Sequence, residues 1–118
     1  ITELVAVLST GKGSWAEVAK IINNHQWKKI VMITNEFGSN NFKKKENTDL
    51  IVINPDESIE LLIADLKKKL GDKLEGPEVA LNLSSGTGKE HMALLSALLK
   101  LGLGIRLIVS TPEGIKEI

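Results

Sequence analysis

The stretch VALNLSSGTGKE, residues 79–90, decides how this chain is expected to fold. Its first half is a short apolar run, typical of a strand that is buried on both faces. Gly86 and Gly88 then interrupt the run with a turn. Thr87 and Glu90 have the T-x-x-E spacing of a capping box, so a helix is predicted to begin directly after this threonine. The stretch therefore predicts a strand, a glycine turn and a helix in that order.

The turn also has the composition of an anion site. A helix N-terminus offers free backbone amides and a positive dipole end, which suit a phosphate group. Hydroxyl side chains and a lysine lie within the same few residues. We therefore expect a phosphate-bearing ligand, contacted by Ser84, Ser85, Gly86, Thr87, Gly88 and Lys89.

Similar units recur along the chain. Apolar runs predict five strands, which alternate for the most part with amphipathic helical stripes. Continuous apolar strands separated by helices indicate a mostly parallel sheet covered on both faces. We predict one domain, residues 1–118, with an α/β fold: a Rossmann-like three-layer sandwich around a five- or six-stranded sheet. The predicted strands are 4–8, 30–33, 50–53, 79–83 and 105–109.

Details of the helices are also predicted. Ser14 and Glu17 have a second capping-box spacing, at the start of the first helix. Asn54-Pro55 is expected to start the next long helix, and Gly71 to end it. The helix after residue 89 is apolar on more than one face, so it is either fully buried or partly a dimer interface. The segment Asn35 to Asp49 and the tail Glu113 to Ile118 receive no secondary structure, and the first of these is either an active or a mobile loop.

A second polar turn follows the first predicted strand. In parallel sheets, ligands bind beyond the carboxyl ends of the strands, where the strand order reverses. If the first and fourth strands are neighbours, this turn faces residues 84–89 across one crevice. Its candidate ligand contacts are Ser9, Thr10, Gly11 and Lys12. Asn35, at the end of the second strand, is a further candidate.

Composition excludes several classes of function. The formal net charge is zero and aromatic residues make up 3%, which argues against DNA binding by this domain and against base-stacking capture of single strands. Cysteine is absent, so thiol chemistry and disulfides are excluded. No metal site is predicted, because His25 and His91 lie far apart in sequence without a carboxylate cluster. No cofactor, signal peptide or membrane span is predicted, and a cytoplasmic location is expected.

A Walker phosphate-binding loop can be set aside. Such a loop requires G-x-x-x-x-G-K-[ST]. Before Lys89 the first glycine position holds Leu83, and before Lys12 it holds Ala6. Neither lysine is followed by serine or threonine.

A dinucleotide site is the alternative that the sequence leaves open. Gly11, Gly13 and Ala16 satisfy the G-x-G-x-x-G/A pattern after the first strand. Glu36 follows at about 20 positions, where an acidic residue binds a ribose hydroxyl in such sites. These residues predict an NAD-type dinucleotide-binding module. A further alternative is a structural or regulatory dimerisation domain that lacks its effector part.

Two loops carry a resemblance to a known family. The run Leu83-Ser84-Ser85-Gly86-Thr87-Gly88-Lys89-Glu90-His91-Met92 and the hydroxyl-bearing turn Ser9-Thr10-Gly11 resemble the loops of CRISPR-associated Rossmann-fold (CARF) domains. The family signature after the fourth strand is an [ST]-G-G-T-[KR]-like run that leads into an apolar helix. One glycine is displaced here, so the loop departs from the double-glycine form. The matching residues are Ser9, Thr10, Gly11, Ser85, Gly86, Thr87 and Lys89.

The resemblance implies a CRISPR-linked sensor of antiviral defence. CARF domains form homodimers that bind cyclic oligoadenylate across the two-fold axis. Some members are ring nucleases, which cleave this ligand without a metal. By resemblance, Lys89 would stabilise the charge that develops on the phosphate, and Ser9 or Thr10 would orient the ribose-phosphate. His91 is either a general acid-base group or a structural residue.

Overall fold

The five predicted strands and three predicted long helices are present, with a further short helix between the second and third strands and a sixth strand at the end. The computed structural model describes residues 2–9 and 12–118, with the backbone alone at positions 12 and 13. The strands are β1 (Glu3–Leu8), β2 (Lys29–Thr34), β3 (Thr48–Val52), β4 (Glu78–Asn82), β5 (Gly104–Thr111) and β6 (Gly114–Glu117). The helices are α1 (Lys12–Asn23), α2 (Glu36–Asn41), α3 (Ile59–Lys73) and α4 (Gly88–Lys100).

One sheet of six strands holds the described part of the chain together. Its order is β3-β2-β1-β4-β5-β6, and every pair is parallel except β5 with the terminal β6. The α/β class and the mostly parallel sheet are therefore confirmed. Because β1 lies between β2 and β4, the strand order reverses at β1, as required for the predicted crevice.

Each face of the sheet packs against its own layer of helices. In β1, Val5 and Val7 belong to the core under α3 and α4, whereas Leu4, Ala6 and Leu8 belong to the core under α1. All of β1 is buried, because strands covered on both faces place alternate side chains in opposite cores. This three-layer packing fixes the positions of the loops that leave the carboxyl ends of β1 and β4.

The predicted start and end of the second long helix are wrong. The side chain of Asn54 accepts a hydrogen bond from the Asp56 amide at 3.0 Å, so the segment after β3 is a turn. Helix α3 begins at Ile59, and its N-cap is Ser58. It also continues through Gly71 to Lys73. A Cβ at this glycine would lie 3.3 Å from the Leu101 side chain, so the glycine permits close packing of α3 against α4.

The predicted capping box at Ser14 is also wrong. Helix α1 begins at Lys12, so Ser14 lies inside its first turn. The Ser14 hydroxyl donates to the Ser85 hydroxyl at 3.0 Å instead of capping α1. Glu17 accepts a hydrogen bond from Lys20 at 3.4 Å rather than turning back toward the serine. The Ser14 hydroxyl, which the sequence pattern assigns to the end of the helix, is therefore engaged in a tertiary contact.

Both segments left without secondary structure contain some. Asn35 is the N-cap of the short helix α2, and its side chain accepts from the Gly38 amide at 2.8 Å. Gly38 and the asparagines make this helix weak in intrinsic propensity. Its glycine packs so close to Thr34 and Leu8 that a Cβ would clash with both. The tail forms β6, which pairs with β5.

Helix α4 is buried on one side only. Ala93, Leu94, Ala97 and Leu98 lie in the core. Met92 and Leu99 are 60% and 66% exposed, with the partly buried Leu95 between them at helical spacing. The alternative of a fully buried helix is therefore wrong.

A charged cluster closes the opposite, amino edge of the sheet. Asp49 at the start of β3 lies 3.4 Å from the Lys29 ammonium and 3.6 Å from that of Lys73. Burial acts to raise the pKa of Asp49, but the charge of Lys73 and the hydrogen bond and charge of Lys29 outweigh it, so the pKa lies below its ordinary value of 3.8.

Replacement of Asp49 should give a small, pH-dependent loss of stability. Because its pKa is lowered on folding, the carboxylate stabilises the fold above pH 3.8, and this contribution disappears as the pH falls through the folded-state pKa. Asp49→Asn is expected to lower the free energy of unfolding by less than about 1 kcal/mol at pH 7, since the group is well exposed. Urea unfolding at pH 7 and near pH 2 measures this. Asp72→Asn, on the exposed side of α3, is the control. If the stability difference between the wild type and Asp49→Asn grew toward acid pH, the lowered pKa of Asp49 would be contradicted.

Candidate functional site

The loops after β1 and β4 meet at the carboxyl edge of the sheet. The Ser9 amide donates to the Ser85 hydroxyl at 3.2 Å, and the Ser14 hydroxyl donates to the same oxygen at 3.0 Å. Ser85 is only 1% exposed. Its hydroxyl therefore joins the two loops and the first turn of α1, and does not face solvent.

Glu90 connects the helix start to the β1 loop. Its Oε1 accepts from the Thr87 amide at 2.8 Å, and the Thr87 hydroxyl accepts from the Glu90 amide at 3.2 Å, so the predicted capping box is confirmed. The same Oε1 accepts from the Ser9 hydroxyl at 2.5 Å. The side chain is 2% exposed. This one carboxylate thus fixes both the start of α4 and the rotamer of Ser9.

The first turn of α4 presents backbone donors to solvent. Among the described residues, the amides of Gly88 and Lys89 have no hydrogen-bond partner, as is general for the first amides of a helix. Ser84, Thr87 and Gly88 are exposed beside them. A Cβ built at Gly88 meets nothing within 4 Å, so the space above these amides is open. The arrangement provides two backbone donors and two hydroxyls to an anion.

The Lys89 side chain points away from its own helix. Its ammonium donates to the Pro55 carbonyl, in the turn after β3, at 2.9 Å. A single carbonyl satisfies one of the three donors of an ammonium. Lys89 therefore lies between the start of α4 and the β3–α3 turn, with donors left for a ligand.

Asn35 adds the carboxyl end of β2 to the same edge. Its side-chain amide donates to the Ser9 carbonyl at 3.2 Å while its oxygen caps α2. The structure thus brings together Asn35, Ser9 and residues 84–89. Two other predicted contacts, Thr10 and Gly11, lie outside the described residues, and so does the Lys12 side chain.

His91 supports the loop from within α4. Its Nε2 lies 2.7 Å from the Ser85 carbonyl oxygen. Because a carbonyl oxygen only accepts hydrogen bonds, this nitrogen must carry the hydrogen. The ring also contacts the turn at Gly86, where a Cβ would lie 2.8 Å from Nε2. This contact gives His91 a structural role, and its role as an acid-base group stays a prediction.

Two residues that anchor this site, Asn82 and Glu90, are not among the predicted ligand contacts. Asn82 is fully buried at the end of β4, where its amide donates to the Ile108 carbonyl and the Ser84 hydroxyl, and its oxygen accepts from the Ser84 amide. A polar residue inside an apolar strand run was the available signal. Glu90 was predicted only as a cap, and its bond to Ser9 depends on a strand pairing that the sequence does not display.

Neither a metal-ligand cluster nor a membrane-spanning helix is found in the described part of the chain. Within residues 2–9 and 12–118, no three His, Cys, Asp or Glu side chains are grouped as a metal site would require. None of the helices in that part of the chain is long and apolar enough to cross a membrane.

The chain was also compared with known proteins. No protein-family model matches it, and no curated protein is significantly similar to it.

Proposed function

We propose that the carboxyl edge of the sheet binds cyclic oligoadenylate, in a CARF-type homodimer. The observation that carries the proposal is the joining of the Ser9 loop to the start of α4 by the Ser9–Ser85 and Ser9–Glu90 hydrogen bonds. These bonds hold a hydroxyl, two unpaired helix amides and a lysine around one open edge. The amides and the ammonium are donors that suit the phosphates of a ribose-phosphate backbone, and the hydroxyl oxygen is an acceptor for its ribose.

Each group has a separate part in binding. The Gly88 and Lys89 amides and the Lys89 ammonium would contact a phosphate, since all of them only donate hydrogen bonds. The hydrogen of Ser9 is already engaged by Glu90, so its oxygen is left to accept a hydrogen bond from a ribose hydroxyl. The site therefore distinguishes the sugar from the phosphate along the same backbone.

Slow ring cleavage would use the same groups. The ribose 2′-oxygen attacks the neighbouring phosphorus, a new P–O2′ bond forms, and the P–O5′ bond breaks. The 2′-hydroxyl proton would pass to the Ser9 oxygen while the Ser9 proton passes to the Glu90 carboxylate, and the departing 5′-oxygen would take a proton from solvent water. Lys89 would stabilise the charge that develops on the phosphate, and Ser9 would hold the 2′-hydroxyl in line.

A second copy of the chain would complete the ring site. Met92 and Leu99 form an exposed apolar stripe on α4, and Met92 lies one turn from the phosphate-binding amides. Pairing of α4 near this residue would place the helix starts of both copies on either side of a two-fold axis. A ring with repeating adenylate units would then meet equivalent donors from each copy.

Lys89→Ala should weaken binding of the ring by tenfold or more. Hydrogen bonds to charged groups contribute about 1.5–3 kcal/mol, and about 1.4 kcal/mol corresponds to tenfold in affinity. Calorimetry of the wild type and the variant with cyclic tetra- and hexa-adenylate measures this, with one ring bound per two chains. Lys100→Ala, at the other end of α4, is the control and should bind like the wild type. A wild type that binds neither ring contradicts the proposal.

A dinucleotide remains the second candidate, because Glu36 lies exposed at the carboxyl end of β2, where a ribose-binding acid is expected. The third position of the glycine pattern weakens this candidate. Ala16 is exposed, whereas that position normally permits close packing of helix against strand. The dinucleotide would be favoured if NAD, and not cyclic oligoadenylate, raised the melting temperature. Glu36→Ala should then reduce the increase that NAD causes.

A further inference from the structure

A cleft lies beside the proposed phosphate site, at the carboxyl ends of β2 and β3. Its volume is about 600 Å³, and it is open to solvent. The α2 start forms one wall and the turn after β3 forms the other. The residues that matter for its chemistry are Glu36, Phe37, Val52, Asn54, Pro55 and Asp56.

The cleft has an exposed apolar surface. Phe37 is 51% exposed and Val52 43% exposed, although both are large hydrophobic side chains. Pro55, in the turn after β3, is exposed as well. The Phe37 ring packs against Trp15 in a tilted arrangement, with 5.8 Å between the ring centroids. A supported aromatic ring in a concave apolar surface suits a flat ring that stacks on it.

The charged groups of the cleft favour a hydrogen-bond donor over an anion. Glu36 and Asp56 are both exposed along its rim, and none of the residues that line it is basic. Two carboxylates would repel a phosphate in the cleft itself. They accept hydrogen bonds, and so would attract a group that carries N–H donors, such as the exocyclic amine of a nucleobase.

Hydrogen bonds make the cleft continuous with the phosphate site. Asn35, at its edge, donates to the Ser9 carbonyl at 3.2 Å. Pro55, in its wall, accepts from the Lys89 ammonium at 2.9 Å. One residue on each side of the cleft is therefore bonded directly to a residue of the phosphate site. A nucleotide with its phosphate at the start of α4 can extend its base into the cleft.

We propose that this cleft is the base subsite, which takes an adenine ring stacked on Phe37 with its amine toward Glu36 or Asp56. The proposal rests on the proposed function, because it needs the phosphate of the same ligand at Gly88 and Lys89. It assigns base recognition to α2 and the β3–α3 turn, and backbone recognition to the loops after β1 and β4. Uracil, which has no exocyclic amine, is disfavoured by the two carboxylates.

Calorimetry of Phe37 variants with cyclic oligoadenylate and cyclic oligouridylate rings of equal size tests the subsite. Base–aromatic stacking contributes about 1–3 kcal/mol per base, so Phe37→Ala should weaken the adenylate ring by about fivefold to a hundredfold. Phe37→Trp should retain its affinity, and Phe37→Leu should behave like the alanine variant. The wild type should prefer adenylate over uridylate, and Glu36→Gln with Asp56→Asn should reduce that preference.

Controls separate the possible failures. Leu61→Ala removes a hydrophobic side chain of comparable exposure from α3 and should leave binding unchanged. Melting temperatures show whether each variant is folded. A folded Phe37→Ala variant with wild-type affinity for the adenylate ring overturns the base subsite alone. A wild type that binds neither ring overturns the proposed function and the subsite with it.

Discussion

Gly86→Ala is expected to lower the free energy of unfolding by about 3 kcal/mol or more. The residue has a φ of +109°, which L-amino acids rarely adopt. A Cβ would also lie 2.6 Å from the Val7 side chain and 2.8 Å from the His91 ring. Val7 is fully buried in the centre of the sheet, so it cannot move aside without disturbing the core. The turn that joins β4 to α4 would have to deform.

Two other glycines separate the causes of this loss. Gly102 has a φ of +75° and nothing near its Cβ position, so Gly102→Ala measures backbone strain alone. Gly88 has neither a positive φ nor a close neighbour, so Gly88→Ala should leave stability nearly unchanged. Urea unfolding of the three variants should give losses in the order 86, 102, 88. A Gly86→Ala loss no larger than that of Gly102→Ala would show that the turn is not packed as described.

Glu90→Ala should lower the free energy of unfolding by about 2–3 kcal/mol. The substitution leaves the Thr87 amide and the Ser9 hydroxyl without the acceptor that they share. Both donors lie in a part-buried environment, where an unpaired polar group is costly. The affinity for cyclic oligoadenylate should fall as well, because the start of α4 and the Ser9 rotamer would no longer be fixed.

Conservative and matched variants make this prediction specific. Glu90→Gln keeps an oxygen acceptor and should lose less stability than the alanine variant. Glu60→Ala removes an exposed acidic residue from the first turn of α3, where only the helix dipole is affected, so about 0.5 kcal/mol is expected. A double-mutant cycle of Glu90→Ala with Ser9→Ala isolates the bond between them. A Glu90→Ala loss no larger than that of Glu60→Ala would contradict the role of Glu90 as a bridge between Thr87 and Ser9.

The layers and the strands of the fold were predictable because their signals are local. Continuous apolar runs predicted β1, β2 and β4, and the T-x-x-E spacing predicted the start of α4. The same capping pattern was misleading at Ser14, where a hydroxyl on another loop competes for the side chain. Helix α2 was missed because its stability comes from packing of Gly38 against Thr34 rather than from helix propensity.

The site was predictable only in part, because its geometry depends on contacts far apart in sequence. The loops at 9 and 84–89 were expected to meet, and the pairing of β1 with β4 brings them together. The sequence did not indicate that Glu90 would bind Ser9 or that Lys89 would reach Pro55. The cleft was hidden for the same reason, since its walls come from two loops that the strand order β3-β2-β1 places side by side.

Amide NMR shifts during titration with cyclic tetra- and hexa-adenylate would show whether the ligand site lies at the carboxyl edge of the sheet. One of these rings should produce its largest shifts at the Gly88 and Lys89 amides, with further shifts at Ser9. Amides of the amino edge, such as those of Lys28 and Asp49, should not move. Either of two results would contradict the assignment of the carboxyl edge as the ligand site. A saturating concentration of both rings would leave the Gly88 and Lys89 amide shifts unchanged, or would shift mainly the amides of the amino edge.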